Sequence, residues 1–187
     1  MLQYKIYICF LFKAIRKRMT INVVLIRIDD RYIHGQVTYS CVKAYNINEI
    51  WVISDKVFNN PILKQIQITT APVGVKVQIF SVEEACKRAL GENNDDPSRR
   101  IFLIFDSPKD LEEFMTRTGI QIDTVFVGSM AYKDGKKKLT NTVYVSEEDI
   151  RYFKLLISKN VKFVYQQYGV AVAAQENLNN KLLSFGR

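Results

Sequence analysis

From residue 22 onward, short apolar runs alternate with amphipathic stretches of helical length. The runs at 22–28, 49–54, 75–80, 101–105, 124–127 and 161–165 read as strands; they are rich in Val, Ile and Phe. Residues 101–105, "IFLIF", are apolar at every position, the pattern of a strand buried on both faces. Between the runs lie predicted helices. One starts at Gly35 or Gln36 and runs to Tyr45. A second, 61–70, has Asn59 or Asn60 as its cap and Pro61 in its first turn. A third opens on the capping box Ser81 to Glu84 and stops at Gly91. A fourth follows Ser107-Pro108 and ends at Gly119, a fifth covers 146–159 with a looser capping box from Ser146 to Asp149, and a terminal helix is predicted over 175–183. Strands alternating with helices in this way predict an α/β fold: an open, mainly parallel β-sheet flanked by helices on both faces. Asp134-Gly135 is a hairpin signal, so a short antiparallel excursion is expected near 131–145.

The first 18 residues do not fit this pattern. Their apolar part, residues 6–12, is far shorter than the roughly 20 residues that cross a bilayer. No small-residue cleavage site follows it. The simplest expectation is that Met19 is the true start and that 19–187 form one domain. A basic amphipathic helix touching a membrane or partner is the alternative. This stretch also changes how the charge is read. The chain carries a net +8, but Lys5, Lys13, Arg16, Lys17 and Arg18 hold five of those charges with no acid among them. The balance beyond residue 18 is weakly basic, which argues against a nucleic-acid partner. The ten Tyr and eleven Phe are scattered and form no base-stacking platform. Cys9, Cys41 and Cys86 are widely spaced without a CxxC, and a single histidine cannot complete a zinc set. Reduced thiols are expected, and neither a metal nor a cofactor is implied.

The chemistry concentrates at Arg27-Ile28-Asp29-Asp30-Arg31-Tyr32-Ile33-His34-Gly35-Gln36, a turn from the first strand into the first helix. In open α/β sheets such turns lie at the carboxyl ends of the strands, where ligands bind. This one holds two arginines, two aspartates and the only histidine of the chain. The arginines disfavour a charged imidazole and favour a nucleophilic one. Gly35 permits close backbone approach, and the helix start supplies free N–H groups and a positive dipole end. The set describes a phosphate cradle around a nucleophile. Arg27 is either a phosphate contact or a solvent-facing strand residue. Arg31 is the favoured phosphate ligand, in a bidentate grip. Asp29 either orients the imidazole or pairs with an arginine. Ser54 and Asp55 face the site or cap the next turn. Ser81 reads as a helix cap, Gly128-Ser129-Met130 is a candidate rim, and Lys133, Lys136, Lys137 and Lys138 read as a solvated turn rather than a docking patch.

"RIDDRYIHGQV" resembles the active-site loop of the IIB subunit of the mannose/fructose/sorbose family of bacterial sugar phosphotransferase systems. Further segments match in order: 53–55 "ISD", 71–85 "APVGVKVQIFSVEEA", 127–150 "VGSMAYKDGKKKLTNTVYVSEEDI" and 160–167 "NVKFVYQQ". The resemblance covers roughly residues 20–168. This chain departs from the usual pattern at Tyr32, where Leu or Phe is common, and at Ser129, where the family usually has a second Gly. The family keeps an acid at the Asp29 place and varies at the Asp30 place. The resemblance implies a phosphocarrier whose His34 accepts a phosphoryl group from a phosphorylated IIA protein or domain and passes it to a sugar of mannose, fructose, sorbose or N-acetylgalactosamine type. It implies membrane IIC and IID subunits as partners and a cytoplasmic place at the inner face of the membrane. Arg31, Arg27 and Asp29 are then the residues expected to act with His34. A homo-oligomer is left open.

Rival readings fail on particular residues. A receiver-type signalling domain would use Asp29-Asp30 for metal, but needs an aspartate after the third strand, where this chain has Phe80-Ser81-Val82, and a lysine after the fifth, where it has Gly128-Ser129-Met130. A dinucleotide enzyme would need G-x-G-x-x-G after the first strand. A nucleic-acid-binding module remains only as a remote alternative. An inactive regulator of the same fold is the closer rival, set against the presence of His34.

Overall fold

A computed structural model describes residues 21–91, 96–166 and 176–186. The proposed extension 1–18 lies outside them. Among the described residues the main sheet has seven strands. They are β1 Val23–Asp29, β2 Glu49–Ile53, β3 Lys76–Phe80, β4 Ile101–Phe105, β5 Thr124–Ser129, β8 Lys162–Tyr165 and β9 Glu176–Asn177, in the order β3-β2-β4-β1-β5-β8-β9. All neighbours are parallel except β8 and β9. Two further strands, β6 Lys137–Lys138 and β7 Tyr144–Val145, pair antiparallel in the expected excursion.

The layering follows from the apolar pattern. Along β1, Leu25 packs toward one face and Ile26 and Ile28 toward the other. The first face is covered by α1 Gly35–Tyr45, α2 Asp55–Phe58 and α3 Pro61–Thr69, through Val37, Cys41, Val57 and Leu63. The second is covered by α4 Val82–Ala89, α5 Pro108–Thr118 and α6 Glu147–Ser158, through Ala85, Leu111, Phe114 and Phe153. β4 lies inside both layers, and all five of its side chains are buried. Each contributes roughly 1.5–3 kcal/mol of hydrophobic stabilisation.

The connections decide where a crevice opens. From β1 the chain moves toward β2 across the first face; from β4 and β5 it moves the other way across the second. The loops after β1 and after its two neighbours therefore diverge. That divergence is a topological switch point at the carboxyl edge, and the His34 loop sits on it.

The caps behave as the sequence suggests. Asn60, Ser81 and Ser107 each accept a first-turn N–H, and Ser146 with Asp149 forms a reciprocal capping box. Three boundaries differ from expectation. β1 continues to Asp29, because Asp29 still pairs with Ser129 across the bulge in β5. The short helix α2 was not predicted; Ser54 starts it by taking the Val57 N–H. The terminal segment is not helical throughout. Residues Glu176–Asn177 form β9 and only Asn179–Ser184 form helix α7. The reason is tertiary: Asn179 accepts the Phe163 N–H and donates to the Val161 carbonyl, fastening this segment to the edge at β8. Lys136 is also not part of a merely solvated turn, since it makes a 2.9 Å ion pair with Asp149. Cys41 and Cys86 are buried free thiols, and burial pushes both upward, Cys86 to about 11.

Candidate active site at the carboxyl edge of the sheet

Residues two apart on a strand share a face, so Arg27 and Asp29 point together toward the side that α1 covers. Arg27 is 1% exposed and Asp29 is fully buried. Their ion pair, Nε to Oδ2, is 3.0 Å long. A second Arg27 nitrogen donates to the Gln166 carbonyl at 2.9 Å, tying β1 to the end of β8, and the third is buried with no partner among the described residues. Asp29 Oδ1 accepts from the backbone N–H of Arg31 at 3.2 Å and from its Nε at 3.3 Å. Arg31 keeps 44% of its side chain exposed. Both arginines hold the Asp29 carboxylate: Arg27 is wholly buried in that role, whereas Arg31 engages it through Nε and keeps its outer end in solvent. Arg27 is therefore no solvent-facing strand residue, and the pairing alternative for Asp29 holds in this geometry.

His34 completes the group. It is the N-cap of α1, in extended backbone; its side chain makes no capping bond, and its own N–H donates to Thr38 Oγ1 at 3.1 Å. Its Nδ1 lies 3.0 Å from the Tyr32 carbonyl. Its Nε2 is buried, has no hydrogen-bond partner among the described residues, and lies 3.9 Å from Asp29 Oδ2. Each ring nitrogen thus faces an acceptor. The other three predicted residues, Arg27, Arg31 and His34, converge on the Asp29 carboxylate.

The loop is held from several sides. Tyr32 adopts a φ of 57°, left-handed for a non-glycine residue, which costs roughly 1–2 kcal/mol. Its N–H bonds the Asp29 carbonyl at 3.0 Å. Ile33 donates its N–H to Gln67 on α3 at 2.8 Å. Asp30 donates its N–H to the Ser129 carbonyl and accepts the Ala131 N–H through Oδ2. Asp30 thereby latches the β1 loop to the loop after β5. Gln67 and Asp30 are supports that the sequence reading missed, and no pattern in the sequence signals Gln67.

Gly128 has a sharper role than a rim. It is the extra residue in the β1–β5 register, where Ile28 pairs with Val127 and Asp29 with Ser129. A Cβ there would lie 1.9 Å from an Arg27 guanidinium nitrogen and 2.3 Å from Asp29 Oδ2. The buried ion pair exists because this position has no side chain. Ser129 contributes its carbonyl to Asp30 and no side-chain bond to the site.

Beside this group lies a second polar cluster at the ends of β2 and β4. Ser54 caps α2 by accepting the Val57 N–H and also donates to Asp106 at 3.0 Å. Asp55 instead caps α4 by accepting the Val82 N–H. Burial, reinforced by a hydrogen bond to Asp106, pushes the Asp110 carboxyl up to about 8. The folded chain therefore binds that proton more tightly than the unfolded chain does. Its stabilising effect is complete below the ordinary carboxyl range near pH 4 and is lost as pH rises through about 8. Asp110→Asn keeps a donor toward Asp106 without the titration. Its melting temperature relative to wild type should climb across that window; a pH-independent difference would remove Asp110 from this role.

A model of the sorbose-subfamily IIB component of the phosphotransferase system matches residues 23–185. The chain belongs to that family. Among relatives of this IIB component, the sorbose-specific EIIB component of Klebsiella pneumoniae is 38% identical over 141 residues, 75% of this chain and 84% of the relative. The mannose-specific EIIAB component of Escherichia coli K12 is 36% identical over 138 residues, 74% of this chain but 42% of that longer protein. The crystal structure of the IIBSor domain of the K. pneumoniae sorbose permease superposes with a TM-score of 0.78 at 35% identity, covering 88% of this chain and 98% of that one. As a IIB component, the chain is a phosphocarrier of a sugar phosphotransferase system and hence a phosphotransferase. Among the described residues no helix is long and apolar enough to cross a membrane.

Proposed function

We propose that His34 is the phosphoryl acceptor of this IIB component, taking the group from a phosphorylated IIA protein and passing it to a sugar held by the membrane IIC and IID subunits. One observation carries the reading: the single histidine lies at the uncapped start of α1 with an acceptor beside each ring nitrogen. Attack by one nitrogen leaves the ring proton on the other and places positive charge on the ring. Whichever nitrogen attacks, the proton that remains meets either the Tyr32 carbonyl or the Asp29 carboxylate. Asp29 thus stabilises the charged ring, while Arg27 and Arg31 fix Asp29. The N–H groups opening α1 and the exposed end of Arg31 face the incoming phosphoryl oxygens. The IIA donor is supported by the mannose-specific EIIAB relative, which this chain matches over part of its length.

The test is transfer of labelled phosphate from a charged IIA protein to the full chain, followed by mapping of the label. Acid-labile phosphate on the peptide holding His34 is expected; label on any other peptide overturns the assignment. Arg31→Ala should slow the transfer by about tenfold or more through lost charge stabilisation. Its side chain is half in solvent, so the fold should be unaffected. An unchanged rate would separate Arg31 from the reaction.

A further inference from the structure

The Tyr32 hydroxyl is the feature that the phosphoryl-transfer reading does not use. Tyr32 is 5% exposed, and its ring packs within the layer of the sheet face covered by α1. Its hydroxyl donates to Asp106 Oδ2 at 2.9 Å and lies 3.3 Å from Ser54 Oγ, which itself reaches the same carboxylate oxygen at 3.0 Å. Asp106 follows β4 and Ser54 follows β2, two adjacent strands. One side chain of the His34 loop is therefore bolted to the carboxyl edge of two strands that do not carry the loop. The backbone of the same residue holds the imidazole, since the Tyr32 carbonyl is the partner of Nδ1. Burial and the neighbouring Asp106 push the phenol upward, so it stays a protonated donor. The left-handed φ of Tyr32 is a conformation that needs such over-determination to persist.

We infer that Tyr32 is a positioning residue for phosphoryl transfer: clamped by Asp106 and Ser54, its hydroxyl fixes the Tyr32 carbonyl and through it the orientation of the His34 ring. The inference rests on His34 being the acceptor. A phenylalanine fills the same volume without the tie, so Tyr32→Phe isolates the hydroxyl.

The experiment uses the full chain labelled with nitrogen-15, in which His34 supplies the only imidazole. In Tyr32→Phe the ring resonances should shift toward an average of tautomers, and the turnover rate with a charged IIA protein should fall about tenfold with the KM for that donor unchanged. Asp106→Ala should act in the same direction, and the double variant should be no slower than the slower single one, because both remove the bond between the Tyr32 hydroxyl and Asp106. Unchanged imidazole resonances in a folded Tyr32→Phe chain overturn the inference. A rate that falls with no change in those resonances also overturns it, as does additivity in the double variant. These outcomes are distinct from failure of the acceptor assignment, which label on a peptide lacking His34 would show.

Discussion

His34→Gln should accept no phosphate while folding as the wild type does. The chain has no other histidine that could take the group. The remaining strong nucleophiles among the described residues are Cys41 and Cys86, which are buried and pushed upward by that burial, so neither offers an accessible thiolate. Label should therefore drop to background rather than to a reduced plateau. The fold should tolerate the change. His34 caps α1 through its backbone, in an extended conformation any residue adopts, and its side chain makes no capping bond. A glutamine amide can still reach the Tyr32 carbonyl, so the stability change should stay within about 1 kcal/mol. Thermal melts and labelling on the same preparation check both halves. Acid-labile label that persists on a folded His34→Gln chain would move the acceptor elsewhere and end the phosphohistidine reading.

Gly128→Ala should be the most damaging change to the site that replaces none of its charged groups. The added methyl would overlap the Arg27 guanidinium and the Asp29 carboxylate, at 1.9 and 2.3 Å. Neither can retreat cheaply: Asp29 is fully buried, Arg27 nearly so, and Arg27 is also tied to the Gln166 carbonyl. Something must give, and separating a buried ion pair costs about 3–5 kcal/mol. For a domain of this size that is roughly a 10 °C loss in melting temperature. Phosphate acceptance should fall along with it, because Asp29 is the group that faces the His34 ring. A Gly128→Ala chain with wild-type melting and wild-type transfer would show that the pair relocates freely and that Asp29 need not sit where it does.

The lysines of the β6–β7 excursion and the arginines of the loop illustrate a shared lesson. From the sequence Lys136 reads as part of a solvated turn, and Arg27 as either a phosphate contact or a solvent-facing strand residue. In the fold each is spent on an internal carboxylate, Asp149 and Asp29 respectively. Spacing along the chain locates a charge but does not show which opposite charge the tertiary structure brings to it. Arg31, with its Nε on Asp29 and nearly half its side chain exposed, is the cation of the loop that still faces outward.

What the sequence determined by itself was local or periodic. Alternation of apolar runs and capped helices is enough to specify a parallel α/β sheet, since each strand and helix carries its own burial pattern and its own stop signals. The His34 loop was legible for the same reason: its nucleophile, charges and glycine lie within ten consecutive residues between a strand and a helix. Even the Arg27–Asp29 pair is implicit in a two-residue spacing on β1. The tertiary structure alone decided the long-range supports. Gln67 reaches Ile33 across 34 positions, Asp106 reaches Tyr32 across 74, and Asp30 reaches Ala131 across 101. The place of Gly128 depends on a bulge in the register of β5 against β1. Strand β9 depends on Asn179 finding the edge at β8. Each follows from strand order, and strand order follows from how the layers pack. No window of the chain contains both partners of such contacts, so their geometry appears only when the sheet is assembled.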